Sequence, residues 1–233
     1  MKQKILLTGA NRGLGLSLTK IYLSQGHEVF AIIRRVNEAL HSLKNEYADQ
    51  LKLHIGDVAD EPSIEKAIRA IEKETDYIDM LINNAAVLFP ADNVPIEQVD
   101  FSVYGATYDV NAVGPLRVVK YVLPLVRKGG GKRIVNISSE AGSITDSWRK
   151  SEYAYCMSKS ALNMASSILQ NYVLEDKIKV LAVHPGWFSS DMGTSAAPIT
   201  PAESAVKVAR LLEKSFTLQG PMYYDLEGKQ MHW

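Results

Sequence analysis

A tyrosine and a lysine lie four positions apart along the chain, as Tyr155 and Lys159. If the segment is helical, residues four apart share one face, so the two side chains project together. A free phenol has a pKa of about 10, and a lysine ammonium a few ångströms away lowers that pKa by favouring the phenolate. Such a pair could exchange a proton with a substrate near neutral pH. Taken alone, however, the pair is better explained as an amphipathic helix face with a solvated lysine.

Polar residues elsewhere in the chain strengthen the catalytic interpretation. Ser139 follows an apolar run that ends at residue 137, Asn84 follows another that ends at residue 82, and Asn111 opens a predicted helix. The carboxyl ends of parallel strands meet at one edge of a sheet, where ligands bind in open α/β folds. We therefore expect these groups to converge with Tyr155 and Lys159 on one crevice. Any one of them could instead cap a helix or bond to a loop.

A glycine-rich segment, Thr8-Gly9-Ala10-Asn11-Arg12-Gly13-Leu14-Gly15, joins the first predicted strand to the first helix. Glycines at such a junction allow a tight turn and a close approach of backbone N–H groups to a pyrophosphate, next to the positive end of the helix dipole. The Gly-x-x-x-Gly-x-Gly spacing differs from the Gly-x-Gly-x-x-Gly fingerprint. The segment predicts dinucleotide binding, with a purely structural turn as the alternative.

The elements that must position these groups alternate along the chain, β-branched runs with amphipathic stretches. The predicted strands cover residues 5–8, 28–33, 51–55, 78–82, 133–137, 178–183 and 222–224. The predicted helices cover residues 13–25, 37–47, 60–75, 110–126, 153–174 and 200–215. This alternation predicts an α/β fold, a doubly wound Rossmann-type parallel sheet of seven strands with helices on both faces. We expect one domain over residues 1–233, because no linker divides the chain.

Composition limits the class of partner. The 233 residues carry 26 Lys+Arg and 26 Asp+Glu, so the formal net charge is zero, and 46% of them are hydrophobic. A globular chain without excess positive charge is a poor candidate for binding nucleic acid or a membrane surface, which favours a small-molecule partner. The five histidines do not fall at a ligand spacing, so we expect no metal site. The lone Cys156 and the absence of a signal-like apolar stretch predict a cytoplasmic protein.

In this order along the chain, the motifs resemble those of the short-chain dehydrogenase/reductase family, and the resemblance covers essentially the whole chain. It implies that Asn111, Ser139, Tyr155 and Lys159 are the catalytic residues. It also implies that the cofactor contacts come from Gly9, Asn11, Arg12, Gly13, Leu14, Gly15, Arg34, Asp57, Val58, Asn84, Ala85, Tyr155, Lys159, Pro185, Gly186 and Ser190. The segment Asn83-Asn84-Ala85-Ala86 departs from the family's Asn-Asn-Ala-Gly in its last residue.

The resemblance implies hydride transfer from a nicotinamide to a carbonyl carbon, with Tyr155 as the general acid. Ser139 would hydrogen-bond the same oxygen, Lys159 would serve both the phenol and the ribose, and Asn111 would hold a water. The segments 157–163, 184–187 and 191–192, together with Trp233, resemble the C-factor and sniffer branch of carbonyl-reductase-like members. The candidate pocket walls are Trp148, Trp187, Phe188, Met192, Leu88 and Phe89, which favours an apolar or aromatic ketone, aldehyde or quinone.

NADPH is predicted over NADH. The second predicted strand ends in Arg34-Arg35, with no acid near that end until Glu38, whereas NAD-selective folds place an Asp or Glu there. The resemblance puts Arg12 on the other side of the 2′-phosphate, and guanidinium groups bind phosphate in bidentate fashion. The alternative is that Arg34 and Arg35 are solvated and that only Arg12 makes the contact.

Two further predictions concern assembly and alternative function. Residues 116–126 and 161–173 are apolar around much of their helical circumference, which predicts a homodimer or homotetramer. A non-catalytic or signalling dinucleotide-binding sensor would share the glycine-rich turn but would not need Ser139, Tyr155 and Lys159 together. A nucleotide-sugar epimerase needs a second substrate domain, for which the chain is too short. The segment 142–152, between Ser139 and Tyr155, is about three residues longer than is usual in the family, so we expect the site to be individual there.

Overall fold

Seven parallel strands form one sheet in the computed structural model, which describes residues 2–189 and 197–233. The strands are β1 (Lys4–Thr8), β2 (Glu28–Ile33), β3 (Leu51–Ile55), β4 (Met80–Asn83), β5 (Arg133–Ile137), β6 (Lys179–Val183) and β7 (Tyr223–Tyr224). Their order across the sheet is β3-β2-β1-β4-β5-β6-β7. The predicted fold class is therefore confirmed, with strand ends that differ from the prediction by one or two residues.

Strand β1 illustrates how the sheet separates two hydrophobic cores. Successive side chains of a strand point to opposite faces. Ile5 and Leu7 accordingly join one buried cluster, whereas Leu6 joins the other. Helices cover both faces, so the strands are apolar almost throughout, and all five residues of β6 are buried.

Seven α-helices surround the sheet within the described residues. They are α1 (Gly13–Ser24), α2 (Glu38–Glu46), α3 (Glu61–Ile71), α4 (Ser102–Tyr108), α5 (Gly114–Lys128), α6 (Tyr153–Tyr172) and α7 (Pro201–Glu213). Local caps explain several starts: the Asp60 side chain accepts from Ser63 N at 3.2 Å, and Thr200 forms a capping box with Glu203. Among the helices of the described residues, none is long and apolar enough to cross a membrane.

The prediction that Asn111 begins a helix over residues 110–126 is wrong. Helical backbone runs through residues 102–128, and a π-helical turn, Asp109–Val113, joins α4 to α5 and contains Asn111. The weak helix formers around Gly105 hide the first part of this rod in the sequence. Pro115 has no N–H to donate to the Asn111 carbonyl four residues earlier, so an α-helical hydrogen bond cannot form there. Asn111 therefore lies in the middle of a continuous helical segment and not at the end of a strand.

The glycine loop 129–131 closes the opposite, amino-terminal edge of the sheet around Asp79. The buried Asp79 carboxylate accepts from Gly130 N at 2.9 Å, Gly131 N at 3.1 Å and Lys4 N at 2.8 Å. A Cβ atom at Gly129 would lie 2.1 Å from the Ile78 carbonyl oxygen, so backbone packing requires glycine there. The basic residues on either side of this loop, Arg127, Lys128, Lys132 and Arg133, therefore flank a structural turn.

Candidate active site

Lys159 and Tyr155 lie on one face of α6, as their spacing predicts. The Lys159 side chain is 2% exposed, and its Nζ donates to the carbonyl of Ile137, the last residue of β5, at 2.8 Å. This Nζ lies 5.7 Å from the centroid of the Tyr155 ring. Burial lowers the pKa of Lys159 to about 8. The lysine is therefore a cation held close to its titration point, beside the phenol.

The chain by itself keeps the Tyr155 phenol protonated. Burial raises the pKa of Tyr155 to about 12, and the neighbouring Ser139 hydroxyl opposes that rise. The Coulombic effect of Glu140 raises this pKa further, whereas that of Arg149 lowers it. Without a further positive charge nearby, Tyr155 is thus a proton donor.

Ser139 is fixed on three sides at the carboxyl end of β5. Its Oγ donates to Glu140 Oε2 at 2.7 Å and accepts from Ala141 N at 3.2 Å, at the start of a short 3₁₀ turn. Its carbonyl accepts from the hydroxyl of Tyr223 on β7. The serine that sequence reasoning selected is therefore brought against Tyr155, but in this arrangement its hydroxyl proton is directed toward a carboxylate.

The Asn111 side chain ties the loop after β4 to α6. Its Oδ1 accepts from Val87 N and its Nδ2 donates to Val87 O, both at 2.8 Å, and Nδ2 also donates to Ser158 Oγ at 3.0 Å. These contacts occupy the amide, so a water held by Asn111, as the resemblance implies, would need the backbone carbonyl that Pro115 leaves without an α-helical donor. Asn111 belongs to the same cluster as Tyr155 and Lys159, through Ser158.

The glycine-rich turn fits the pyrophosphate of a dinucleotide. Gly9 and Gly13 have φ angles of +72° and +52°, which favour glycine, and a Cβ at Gly13 would meet no atom within 4 Å. A Cβ at Gly15 would lie 2.2 Å from the Gly9 carbonyl oxygen, so close packing also requires glycine there. No side chain caps the start of α1 and its first turn has no acidic residue, which leaves the positive end of the helix suited to an anion.

Asn84 joins this turn to the segment that follows β4. Its Nδ2 donates to the carbonyls of Thr8 and Gly9 at 3.0 and 3.2 Å. The Thr8 hydroxyl in turn accepts from the backbone N–H groups of Asn84 and Ala85. The predicted cofactor turn and the end of β4 therefore form one hydrogen-bonded unit.

A family model described as short chain dehydrogenase matches residues 3–199 of this chain. The chain belongs to the short-chain dehydrogenase family. This is a family of oxidoreductases, and the match runs from β1 through the glycine-rich turn, Ser139, Tyr155 and Lys159 to the segment after β6.

Individual relatives agree with this placement. The C-signal protein of Myxococcus xanthus is 32% identical over 161 residues, which cover 68% of this chain and 95% of that relative. The carbonyl reductase Sniffer of D. melanogaster has a structure with a TM-score of 0.93 and 29% identity, over 100% of both chains. The NADPH-bound carbonyl reductase from chicken fatty liver has a TM-score of 0.90 and 28% identity, over 100% of this chain and 99% of that one. The short-chain dehydrogenase thus has carbonyl reductases among its structural neighbours.

The other predicted cofactor contacts of the short-chain dehydrogenase lie along the same edge. Asp57 accepts from Ala59 N at 3.0 Å, and Val58 packs against Gly114. The Pro185 carbonyl accepts from Ser204 Oγ at 2.6 Å, and Gly186 has a φ of +74°. Arg12 and Arg34 are exposed near the glycine-rich turn and the end of β2, respectively, and Asn37 Nδ2 donates to the Asn11 carbonyl at 2.7 Å. Ser190 lies outside the described residues.

The predicted pocket walls are only partly brought together. A cavity of about 420 Å³ lies at the carboxyl ends of β5 to β7, where Trp187, Leu226 and Met231 line it beside Glu140. Trp148 is 70% exposed on the loop after β5. Phe188 packs against the hydrophobic core and does not line this cavity, and Met192 lies outside the described residues.

Sequence reasoning missed Asp92, which holds the start of α6. Its carboxylate is 1% exposed and accepts from Ala154 N at 3.0 Å and from Tyr155 N at 2.8 Å. Glu152, at the N-cap position, has a φ of +62° and makes no side-chain cap. Asp92 therefore caps α6 from a different segment, and the sequence separation of about 60 residues leaves no local signal for this contact.

A second missed group is the charged cluster beside Ser139. Arg149 forms ion pairs with both Glu140 and Glu152, and His184 Nδ1 lies 3.4 Å from Glu140 Oε2. Burial would raise the pKa of Glu140, but the protonated form of His184, the Ser139 hydrogen bond and Arg149 together lower it. Glu140 is therefore a carboxylate at neutral pH. Its position next to Ser139 was the available signal, but nothing in the sequence identified Arg149 as its partner.

Proposed function

We propose that this short-chain dehydrogenase is an NADPH-dependent carbonyl reductase. The observation that carries the proposal is the meeting of Tyr155, Lys159 and Ser139 at the sheet edge that also carries the glycine-rich turn. A protein that only bound a dinucleotide would need the turn but not the three polar side chains. The carbonyl reductases among its structural neighbours give the proposal further support.

The cofactor would lie across the turn and along the carboxyl edge of the sheet. The α1 N-terminus would hold its pyrophosphate, Asp57 and Val58 its adenine, and Lys159, Pro185 and Gly186 its nicotinamide half. When bound, the reduced nicotinamide supplies a hydride to the carbonyl carbon. Lys159 fits a ribose partner because, among the described residues, the one acceptor shown for its three N–H donors is the Ile137 carbonyl.

Tyr155 would donate its proton to the carbonyl oxygen as the C=O bond becomes a C–O single bond. The alcohol keeps that proton, and the phenolate left on Tyr155 is stabilised by the Lys159 cation. Ser139 would turn its hydroxyl from Glu140 to the substrate oxygen, where negative charge grows in the transition state. The Asn111 side chain would keep the helical segment 102–128 and α6 in their relative positions. Its backbone carbonyl would hold the water through which Tyr155 is reprotonated.

The substrate class follows from the walls around this edge. Trp187, Leu226 and Met231 give the cavity an apolar wall, and Trp148 is an exposed aromatic side chain on the loop after β5. We therefore propose an apolar or aromatic ketone, aldehyde or quinone. The charges at Arg12 and Arg34 support NADPH over NADH, because a guanidinium attracts the 2′-phosphate that an acidic residue would repel.

A screen of NADPH and NADH oxidation against a panel of such carbonyl compounds tests the proposal. We expect turnover with NADPH, and a loss of about 100-fold or more in Tyr155→Phe with cofactor affinity preserved. The Arg12→Ala and Arg34→Asp variants should lose NADPH preference. Cofactor binding without turnover on any compound would favour the sensor alternative, for which the likeness to the C-signal protein is the specific observation.

We also propose that the protein forms homo-oligomers through α6. Met157, Met164, Ile168 and Tyr172 form an exposed apolar stripe on this helix. Helix α5 adds Leu116, but its outer face is less apolar than its sequence suggested, since Lys120 pairs there with Glu61. Light scattering of the wild type and of Ile168→Asp tests this, with a dimer or tetramer expected and the variant shifted to monomer. A cytoplasmic location stays a prediction.

A further inference from the structure

Glu140 is a carboxylate that the proposed reaction does not use, although it touches a catalytic residue. Its Oε2 accepts from Ser139 Oγ at 2.7 Å, and its Oε1 accepts from Arg149. His184 Nδ1 accepts from Glu140 N at 3.2 Å, which puts the proton of a neutral His184 on Nε2. Burial lowers the pKa of His184, so this ring does not neutralise Glu140 at pH 7.

Arg149 is therefore the permanent cation of this cluster, and it is shared between two carboxylates. It forms ion pairs with Glu140 and with Glu152, so the three side chains carry one net negative charge. All three are partly buried, with the guanidinium 23% exposed, so solvent screens that charge less than it would on the surface. The net charge lies next to Ser139, on the side of the cavity that Glu140 lines.

Glu140 acts on Tyr155 in two separate ways, and both disfavour its phenolate form. Ser139 has a single O–H, and a carboxylate attracts it more strongly than a neutral acceptor does. While that proton is directed to Glu140, it does not stabilise a phenolate on the neighbouring Tyr155. In addition, the negative charge of Glu140 repels a phenolate directly.

We propose that Glu140, acting through Ser139, holds Tyr155 in its proton-donating form and so favours carbonyl reduction at alkaline pH. The inference rests on the proposed function, in which Tyr155 is the general acid. Glu140 is on this view a positioning residue: it sets the protonation of the catalytic group without touching the substrate.

Other charged or titratable groups also face Tyr155, and their effects differ. They are Lys159 and Cys156 on α6, Asp92 from the turn after β4, Arg149 and Glu152 from the loop after β5, His184 at the end of β6 and Tyr223 on β7. Arg149 favours the phenolate, as does Lys159 while it is protonated, and the Asp92 carboxylate is held by two backbone N–H groups. Among the described residues, Glu140 is the carboxylate that accepts the hydroxyl proton of Ser139.

The test is the pH dependence of kcat for NADPH-driven reduction in three variants. Glu140→Gln keeps the size of the side chain and a neutral acceptor, and we expect its alkaline limb to fall by about one pH unit. Glu140→Asp keeps the charge and should retain the wild-type limb. Glu152→Gln is the matched control, because Glu152 also pairs with Arg149 but does not contact Ser139. Its limb should move by less than about a third as much as that of Glu140→Gln.

A second readout needs neither cofactor nor turnover. In protein labelled with ¹³Cζ-tyrosine, the Tyr155 resonance is identified by its loss in Tyr155→Phe and followed by NMR up to pH 11. The chemical shift of this resonance should stay unchanged in the wild type, whereas in Glu140→Gln it should begin to change as Tyr155 ionises. If Glu140→Gln does not fold, as judged by its melting temperature, Arg149→Gln replaces it, and its alkaline limb should rise above the wild-type value.

The outcomes separate this inference from the proposed function. An unmoved alkaline limb and an unmoved resonance in Glu140→Gln, with Tyr155→Phe inactive, overturn the role of Glu140 alone. The same holds if Glu152→Gln moves the limb as far as Glu140→Gln, since the effect would then come from loop structure. Full activity of Tyr155→Phe overturns the proposed function and this inference with it.

Discussion

Two carboxylates, Asp79 and Glu140, lie at opposite edges of the same sheet and are held by different kinds of donor. Asp79 precedes β4 and accepts three backbone N–H groups, from Lys4, Gly130 and Gly131. Glu140 follows β5 and accepts a serine hydroxyl and a guanidinium. Backbone donors cannot leave without unfolding a turn, whereas side-chain donors can rotate. The amino edge is thus built for fixed geometry, and the carboxyl edge has groups that can change partners.

Buried lysines show the same difference. Lys179, at the start of β6, donates to the carbonyls of Leu218 and Gly220 at 3.2 and 2.8 Å. Lys159 donates to the single carbonyl of Ile137 within the described residues. Burial lowers the pKa of both side chains, for Lys159 to about 8. The amino-edge lysine has two acceptors inside the protein, whereas the carboxyl-edge lysine keeps donors for a ligand.

The largest effect on folding should come from Asp79→Ala. Removing the carboxylate leaves the loop 129–131 and β1 without their shared acceptor, and we expect the free energy of unfolding to fall by about 3 kcal/mol. Turnover per folded molecule should stay near the wild-type value. Urea denaturation and turnover at saturating substrate measure the two quantities. Asp176→Ala, which removes an ion pair with Arg127, should cost less than about 1 kcal/mol. Equal losses in the two variants would contradict the role of Asp79.

Lys159→Met should remove a pH dependence of stability. The folded pKa of Lys159, about 8, is below its unfolded value. Between pH 8 and pH 10 the unfolded chain binds a proton that the folded chain does not, so this lysine makes stability rise with pH, by about 2 kcal/mol. Urea denaturation of the cofactor-free protein at about pH 7.5 and about pH 9.5 spans most of this range. The free energy of unfolding should rise between these two pH values in the wild type and rise less in the variant. Lys179→Met should change the pH dependence of stability less than Lys159→Met does. A larger change in Lys179→Met would contradict the comparison of the two lysines.

A mixed effect is expected for Asp92→Ala, because Asp92 belongs to both kinds of region: it accepts backbone N–H groups, one of them from Tyr155, the proposed general acid. Loss of this cap should cost about 1 kcal/mol of stability. Turnover should also fall by about tenfold, since Tyr155 loses its fixed position. Asp60→Ala removes the cap of α3 and should cost similar stability with turnover unchanged. Equal turnover in the two variants would show that Asp92 is only structural.

The smallest effect is expected for Cys156→Ala. Cys156 is half-buried, burial raises the pKa of its thiol, and it is turned about 100° away from Tyr155 on the helix. Turnover of this variant should stay within about twofold of the wild-type value, because Cys156 takes no part in the proposed proton transfer. A collapse of turnover with an unchanged melting temperature would show that this thiol takes part in the chemistry.

The parts of the molecule that the sequence could predict are those with local or periodic signals. The seven-stranded parallel sheet with its helices follows from alternating apolar runs and amphipathic stretches, and the Tyr155–Lys159 face follows from a spacing of four. Contacts between distant segments have no such signal, which is why Asp92 at the start of α6 and Tyr223 on the Ser139 carbonyl were missed. The π turn at Asn111 was also missed, because it interrupts the 3.6-residue period on which helix prediction rests.

All three tryptophans of the chain lie at the carboxyl edge of the sheet. Trp148 is on the loop after β5, Trp187 follows β6, and Trp233 stacks on Tyr223 with ring centroids 5.2 Å apart. The tryptophan fluorescence of the protein is therefore an unlabelled optical probe of this edge alone. Cofactor binding can be followed as quenching of that emission, and a fluorescence melting curve that precedes the circular-dichroism curve would report loosening of the carboxyl edge before the sheet itself unfolds.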